Sequence, residues 1–182
     1  MVRLCLLRHA PALHDGKLTG RRNVDSDCNQ PAALKAAQGV LASFNGATVW
    51  SSPARRCVQT CAALGLSPQL NPSLWEQDFG EWDGLPFADL PDLGPLSTER
   101  LSTHRPPGGE SFLEMCARVQ PVLQAASADT VVVAHAGTVR AALAMIVGPA
   151  ALSFVIAPLS CTLLRRAGDI WSVEAVNIGG VR

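Results

Sequence analysis

The segment TVVVAHAGTVRAALAMIVG, residues 130–148, contains a short run of β-branched residues followed directly by an apolar, helix-forming stretch. An unbroken run such as Thr130–Ala134 is typical of a strand that is buried on both faces of a parallel sheet. The run stops at His135, and the residues after Gly137 have the composition of a helix. A strand that leads straight into a helix is the repeating unit of α/β proteins, so this segment predicts a parallel sheet.

A second segment has the same arrangement. In LCLLRHAPALHDG, residues 4–16, an apolar strand ends at Arg8 and His9. The carboxyl ends of parallel strands meet at one edge of the sheet, and ligands of open α/β sheets bind outside that edge. His9 and His135 are therefore predicted to lie close together at a ligand site.

A third, shorter strand at 48–50 runs into SSPARR. Ser52 is predicted to cap the next helix and Pro53 to occupy its first position, which places Arg55 and Arg56 in the first turn. Guanidinium groups beside the free amides of a helix N-terminus suit an anion such as phosphate. The sequence therefore predicts an anion site where these strands end.

The remaining segments complete the predicted fold. Helices are expected at 31–44 and 110–126, with Pro121 predicted to kink or restart the second one. The segment 68–107 is rich in Pro, Gly and Asp with interspersed aromatic residues, and it predicts a long excursion with short helical pieces. Near the C-terminus, CTLLRR and IWSVEAV read as two strands joined by a tight turn. This alternation predicts an α/β fold with a largely parallel sheet, as a single domain over 1–182.

The composition limits the classes of partner. Apolar residues make up 48% of the chain and charged residues 16%, while 15 basic residues balance 15 acidic ones. A chain without net charge lacks the field that attracts nucleic acid or an anionic membrane, so neither partner is expected. The N-terminus has no signal-peptide pattern, and Gly148 and Pro149 interrupt the longest apolar stretch, so no membrane span is expected.

Five of the six cysteines, all except Cys28, lie in predicted strands or helices, and the six form no CxxC pair. This setting predicts reduced thiols that act as small core residues in a cytoplasmic protein, rather than disulfides or a zinc site. We expect no metal and no cofactor.

Five blocks, in order, cover most of the chain: LLRHA, SSPARRCVQT, LWEQDFGEWDGL, PPGGESFLEMCARV and VVVAHAGTVRA. They resemble the RHG, S-S-P-x-x-R-A-x-Q-T, L-x-E-x-x-F-G-x-W-E-G, G-G-E-S and V-x-H-G-G blocks of the histidine phosphatase superfamily, also called the phosphoglycerate mutase-like family. The resemblance implies a three-layer αβα sandwich with a mostly parallel central sheet. It also implies hydrolysis of a phosphate ester.

The resemblance further implies five catalytic residues, namely Arg8, His9, Arg56, Glu76 and His135. His9 would accept the phosphoryl group to form a phosphohistidine, and Arg8, Arg56 and His135 would bind phosphate oxygens. The spacing of the family's blocks selects Arg56 rather than Arg55. It selects Glu76, rather than Glu81 or Asp83, as the proton donor.

The chemistry of these residue types is consistent with those roles. A neutral imidazole is a competent nucleophile, and its second ring nitrogen needs an acceptor such as a backbone carbonyl to fix the tautomer. Phosphoryl transfer needs mainly positioning and positive charge, which Arg8, Arg56 and a protonated His135 would supply without a metal. Glu76 would protonate the leaving alkoxide and then activate water, and partial burial beside aromatic residues would favour its protonated form.

Several residues depart from the family's blocks or fall outside them. Ala10 and Ala136 stand where the family has glycine, which leaves the local backbone shape open. His14 and His104 match no block and are interpreted as loop residues.

The loop KLTGRRNVDSD, residues 17–27, is similar to that of α-ribazole phosphatases. Arg21 is expected to bind the phosphate there, or Asn23 to reach the substrate, with a solvated basic turn as the alternative reading.

The short chain favours a phosphatase over a mutase, because mutases of the family carry extra segments that close over the substrate. The 17–27 loop and the chain length favour a small-molecule substrate, α-ribazole 5′-phosphate. A protein phosphohistidine phosphatase or a broad-specificity phosphatase is the nearest alternative. A non-catalytic module that binds a phosphorylated ligand is the alternative from another class. A homodimer is possible.

Overall fold

A computed structural model describes residues 1–181 and shows a six-stranded sheet. Its strands are β1 (Val2–Arg8), β2 (Thr48–Ser51), β3 (Gln69–Leu70), β4 (Thr130–Ala134), β5 (Ser160–Ala167) and β6 (Ile170–Gly179). The order across the sheet is β3-β2-β4-β1-β5-β6. The first four strands in this order pair in parallel, and β5 and β6 add an antiparallel side. Residue 182, which the single-domain prediction includes, lies outside the described residues.

The helices are α1 (Pro31–Leu41), α2 (Arg55–Ala63), α3 (Thr98–Thr103), α4 (Phe112–Gln124) and α5 (Ala136–Val147). Residues of β1 alternate between two cores, as the two-residue period of a strand requires. Leu4 and Leu6 pack in the core that contains α4 and α5, whereas Cys5 and Leu7 pack in the core that contains α1 and α2. The mostly parallel α/β sandwich with helices on both faces is confirmed.

The start of α2 differs from the prediction. The helix begins at Arg55, two residues later than the predicted position of Pro53. The Ser52 N–H still donates to the carbonyl of Val133 (3.0 Å), so the chain remains extended at this residue. The Ser52 hydroxyl forms a hydrogen bond with Nε2 of His135 (2.8 Å). From the Ala54 N–H it accepts only a long hydrogen bond (3.3 Å). Ser52 therefore acts at the strand end rather than as the helix cap.

Pro121 does not restart α4, because the helix is continuous from Phe112 to Gln124, and the predicted kink stays a prediction. Its N-terminus carries a capping box in which the Ser111 hydroxyl accepts from the Glu114 N–H while the Glu114 carboxylate accepts from the Ser111 N–H. Residues on both sides of the proline, among them Met115 and Leu123, are buried in one core. Packing of this apolar face outweighs the loss of one helical hydrogen bond.

The excursion at 68–107 has little regular structure beyond β3, three short 3₁₀ turns and the six-residue α3. Part of it packs against the carboxyl edge of the sheet, where Gly84 donates to the Leu18 carbonyl (2.9 Å) and Phe87 donates to the Gly16 carbonyl (3.0 Å). The excursion therefore forms one wall of the site described below.

The segment Ala136–Ser153, formed by α5 and a following 3₁₀ turn, is long and apolar enough to cross a membrane by length and composition alone. Val139, Ala142 and Leu143 of α5 are buried in the core shared with α4. A core helix of a globular domain meets the same criteria.

Candidate active site

β1 and β2 both pair in parallel with the central strand β4, so their carboxyl ends meet at one edge of the sheet. His9 follows β1 and His135 follows β4, and their ring centroids are 5.2 Å apart. A cleft of about 190 Å³ opens at this edge, with Arg8, His9, Arg56 and Glu76 in its lining. The structure thus brings four of the five predicted catalytic residues to one cleft and places the fifth, His135, beside His9.

His9 is buried, and its Nδ1 lies 2.6 Å from the carbonyl oxygen of Ala10. A carbonyl can only accept, so Nδ1 carries the proton and Nε2 keeps its lone pair, as the sequence predicted. Burial and then the charge of Arg56 lower the pKa of His9 to about 3, against the opposing effect of the Ala10 carbonyl. At neutral pH the imidazole is therefore an uncharged nucleophile with one free nitrogen.

Arg56 lies in the first turn of α2 and is fully buried. Its two terminal nitrogens donate to the carbonyls of Arg22 and Gly20, each at 2.8 Å. These two bonds hold the guanidinium at the cleft, so the loop at 20–22 determines where this charge lies. Arg55, the neighbour that the family spacing did not select, instead pairs with the Asp25 carboxylate at 2.6 Å.

Asp83 holds the loop at 20–22 in place. Its carboxylate accepts three consecutive backbone N–H groups, from Gly20 (3.0 Å), Arg21 (2.8 Å) and Arg22 (3.0 Å). Three amides directed at one carboxylate form a compact anion-binding nest. A Cβ at Gly20 would overlap the Gln77 carbonyl, so the close approach of this loop requires glycine. Asp83 therefore positions Arg56 through the loop backbone.

Arg8 ends β1, and one of its terminal nitrogens donates to the Ile156 carbonyl at 2.5 Å. Its Nε is buried and has no hydrogen-bond partner among residues 1–181. Burial is the main factor that lowers the pKa of this guanidinium, and the carboxylate of Glu76 opposes that effect. Arg8 thus keeps donor capacity that an anion in the cleft can use.

His135 is fully buried, and its Nε2 lies 2.8 Å from the Ser52 hydroxyl. The ring stacks on Trp75 with an interplanar angle of 8° and a centroid distance of 6.3 Å. Burial, followed by the charge of Arg56, holds the pKa of His135 well below its ordinary value. Two arginines and a dry environment therefore favour the neutral form of His135 in the unliganded protein, and its protonation during phosphoryl transfer stays a prediction.

Glu76 is the only one of the three candidate acids that lines the cleft. Its carboxylate accepts from the Gln77 N–H (3.0 Å) and from the Gly137 N–H at the start of α5 (3.3 Å). A Cβ at Gly137 would overlap this carboxylate, so the glycine makes room for it. Glu81 is exposed. The Asp83 carboxylate accepts hydrogen bonds from the backbone of the loop at 20–22.

The sequence pattern of the histidine phosphatase superfamily (branch 1) matches residues 4–179. The chain belongs to this superfamily. Relatives that carry phosphatase names are among its matches.

Curated relatives of this superfamily member include two mycobacterial proteins. The chain is 36% identical over 128 residues to the bifunctional protein Rv2228c of Mycobacterium tuberculosis, which covers 65% of the chain and 35% of that protein. The chain thus spans about a third of that relative's length. It is 29% identical over 168 residues to the glucosyl-3-phosphoglycerate phosphatase of Mycolicibacterium vanbaalenii, which covers 80% of the chain and 74% of that protein.

Solved structures show the same fold. The protein TTHB049 of Thermus thermophilus superposes with a TM-score of 0.76 at 27% identity, covering 94% of this chain and 97% of that one. The mycobacterial glucosyl-3-phosphoglycerate phosphatase Rv2419c superposes with a TM-score of 0.81 at 24% identity, covering 98% and 99% of the two chains.

Two residues that were predicted to contact the ligand, Arg21 and Asn23, do not line the cleft. The guanidinium of Arg21 lies 3.7 Å from Glu110 and 5.8 Å from the ring centroid of Trp75. The Asn23 side chain accepts from the Arg55 N–H at 2.7 Å and so caps the start of α2. Arg21 does not line the cleft, because Asp83 binds its backbone N–H and its side chain lies toward Glu110, and its contact with phosphate stays a prediction.

The sequence reading missed His14 and Lys17, which both line the cleft. The His14 ring packs edge-on against Phe87, with 5.3 Å between the ring centroids. The backbone of Lys17 forms an isolated antiparallel β-bridge with Pro86. These contacts exist only once the 68–107 excursion has folded back over the loop. Spacing along the chain gives no sign of them beyond their closeness to His9.

The two alanines that replace family glycines need no unusual backbone. Neither Ala10 nor Ala136 has a positive φ. Ala10 is buried and donates its N–H to the Thr60 hydroxyl at 2.9 Å, and Ala136 is the first residue of α5. Both positions accept a Cβ, so the departures leave the strand ends intact.

Proposed function

We propose that this protein hydrolyses a small phosphomonoester, without a metal ion, through a phosphohistidine formed on His9. The observation that carries the proposal is the state of His9, which is neutral, has its Nδ1 fixed by a carbonyl and lines a cleft that also holds Arg8 and Arg56. These are the requirements of an uncharged nitrogen nucleophile beside a phosphate clamp.

In the first step, the lone pair of His9 Nε2 attacks phosphorus and the ester P–O bond breaks. Glu76 gives its proton to the departing oxygen. In the second step, the Glu76 carboxylate takes a proton from water, the water oxygen attacks phosphorus, and the P–N bond breaks to release inorganic phosphate and His9. A phosphate in the cleft offsets the charges of Arg8 and Arg56, and this favours a proton on His135 during the reaction.

The substrate is the finer part of the proposal. The resemblance of the 17–27 loop supports α-ribazole 5′-phosphate. The names of the mycobacterial relatives support glucosyl-3-phosphoglycerate. A panel containing both esters, a phosphohistidine peptide and common metabolite phosphates ranks these candidates by kcat/KM. The six free thiols support our further proposal of a cytoplasmic location.

A non-catalytic module that binds a phosphorylated ligand is the alternative from another class. The position of Glu76 in the cleft favours hydrolysis, because binding alone needs no proton donor beside a phosphate clamp. Turnover of no ester in the panel would favour the binding module.

The decisive experiment measures hydrolysis of p-nitrophenyl phosphate in the presence of a chelator and traps radiolabelled phosphoenzyme. We expect turnover in the wild type and neither turnover nor label in His9→Gln. In Glu76→Gln, alkyl phosphate hydrolysis should fall about 10²–10⁴-fold, while label still forms from the aryl ester, whose leaving group needs no proton. The exposed neighbour provides the control Glu81→Gln, which should match the wild type. Full activity in His9→Gln would refute the assignment of the nucleophile.

A further inference from the structure

A second cavity, of about 330 Å³, adjoins the phosphate cleft. Leu18 and Phe79 line both spaces, so the two share a wall. Small-molecule sites generally measure about 300–1,000 Å³, whereas the cleft itself is only large enough for a phosphate and the adjoining atoms. The second cavity is thus available to the part of a substrate that extends beyond its phosphate.

The walls of this cavity are predominantly apolar and aromatic. Its lining includes Phe79, Trp82, Leu90, Leu93, Leu101 and Phe112. Most of these residues come from the 68–107 excursion, which is the part of the fold with the least regular structure. A sugar ring in such a space would leave hydroxyl groups without hydrogen bonds, whereas a flat apolar ring would lose only its contact with water.

Few polar groups interrupt the apolar walls, and His104 is one of them. Its Nε2 is buried and has no hydrogen-bond partner among residues 1–181. The ring stacks on Trp82 at 5.4 Å with an interplanar angle of 23°, which fixes its plane. An unpaired buried nitrogen in a predominantly apolar site is a recognition point for one polar atom of a ligand.

Arg140 also lines the cavity. Its Nε donates to the Phe154 carbonyl at 3.0 Å, and it forms no ion pair with a carboxylate of the described residues. After burial and Glu76, its charge is the next influence on the pKa of Arg8. The wall of Leu18 and Phe79 that the two spaces share places the cavity beside the cleft.

We propose that this second cavity binds the alcohol part of the substrate and selects phosphomonoesters whose alcohol carries a flat apolar ring with one hydrogen-bonding atom for His104. This inference rests on the proposed function, because it assumes that the phosphate lies in the cleft against His9. It favours an aromatic alcohol over a polar sugar as the substrate class.

The test compares ethyl phosphate with 2-phenylethyl phosphate. Both esters release a primary alkoxide, so their difference in kcat/KM reports binding of the ring rather than leaving-group reactivity. In the wild type we expect kcat/KM to be at least about tenfold higher for the phenyl ester, as burial of an apolar group of this size allows.

Leu101→Asp places a charge in the cavity wall and should lower kcat/KM at least about fivefold more for the phenyl ester than for the ethyl ester, mainly through KM. Leu113→Asp is the matched control, because Leu113 is also a helical leucine, exposed by 44% compared with 38% for Leu101, but lies outside the cavity. It should leave the preference for the phenyl ester unchanged. Leu93→Trp, which fills the cavity, should also lower kcat/KM more for the phenyl ester than for the ethyl ester, and it replaces Leu101→Asp if that variant fails to fold.

Equal kcat/KM values for the two esters in the wild type would overturn the cavity assignment, as would an equal loss for both esters in the folded cavity variants. In either case, turnover of ethyl phosphate and label on His9 would show that the proposed function still holds. Absence of both turnover and label would instead refute the proposed function.

Discussion

The reactivity of His9 comes from the groups around its ring. Burial and the charge of Arg56 make a proton on this imidazole costly, while the Ala10 carbonyl keeps the remaining proton on Nδ1. The same arginine that would bind the substrate phosphate thus keeps the nucleophile unprotonated before the substrate arrives. Burial and then the same arginine also lower the pKa of His135.

The lowered pKa of His9 predicts a pH-dependent stability. Its folded-state pKa of about 3 lies below the ordinary 6.5, so the unfolded chain takes up a proton that the folded protein refuses. This contribution is absent above about pH 7 and destabilises the fold increasingly as the pH falls toward 3, by about 2 kcal/mol at pH 5. Urea unfolding at pH 8 and pH 5 measures how much the free energy of unfolding falls between the two pH values. This fall should be about 2 kcal/mol smaller in His9→Gln than in the wild type.

His14→Gln is the control for this measurement, because His14 lies in the partly exposed lining of the cleft. The variant should retain the pH dependence of the wild type. An unchanged pH dependence in His9→Gln would show that the buried imidazole is protonated in the folded protein.

Among the structural elements, the loop at 20–22 links an acidic residue to a catalytic cation. Asp83 follows the 3₁₀ turn Gly80–Trp82 and binds three backbone amides of the loop, while two carbonyls of the same loop bind Arg56. No side chain of the loop is needed for this connection. The arrangement explains how residues of the irregular 68–107 segment determine the geometry of the phosphate clamp.

Removal of this link should weaken catalysis without removing any group that touches the substrate. We expect Asp83→Ala to lower kcat/KM about 10–100-fold, because the loop and with it the Arg56 guanidinium move away from the cleft. The inhibition constant of inorganic phosphate should rise in parallel, which a general loss of folding would not produce in the remaining folded enzyme. Asp83→Glu keeps the carboxylate and should recover part of the loss.

The exposed Asp89→Asn is the control for Asp83→Ala and should have kinetics close to the wild type. Unaltered phosphate inhibition in Asp83→Ala would mean that the loop keeps its position without the carboxylate.

How well the sequence predicts a site residue depends on whether that residue adjoins a regular strand or helix or lies in a loop. His9 and His135 directly follow strands, so the apolar pattern of the strands locates them, whereas the choice of Arg56 over Arg55 came from the family resemblance. Arg21 and Asn23 are polar loop residues, and sequence alone does not distinguish a ligand contact from a helix cap or an ion pair. The contacts of His14 and the second cavity depend on tertiary folding of an aperiodic segment, which no local pattern encodes.

At the level of the molecule, the sheet separates two apolar cores, and cysteines occupy both. Cys5, Cys57, Cys61 and Cys161 are buried in the core with α1 and α2, and Cys116 is buried in the core with α4 and α5. Each serves as a small apolar side chain, as the sequence setting indicated. Only Cys28 is partly accessible. The pattern of thiol burial therefore reports the integrity of both cores at once.

Thiol titration with a chromogenic disulfide reagent should detect one reactive thiol in the native protein and six after unfolding without reductant. The five buried thiols are shielded by packing, and burial also raises the pKa of Cys61 and Cys116 to about 11, which lowers their thiolate fraction. Cys28→Ser should abolish the fast native reaction and leave five thiols after unfolding. A second fast thiol in the native protein would mean that one core opens readily, and fewer than six after unfolding would reveal a disulfide that this fold does not contain.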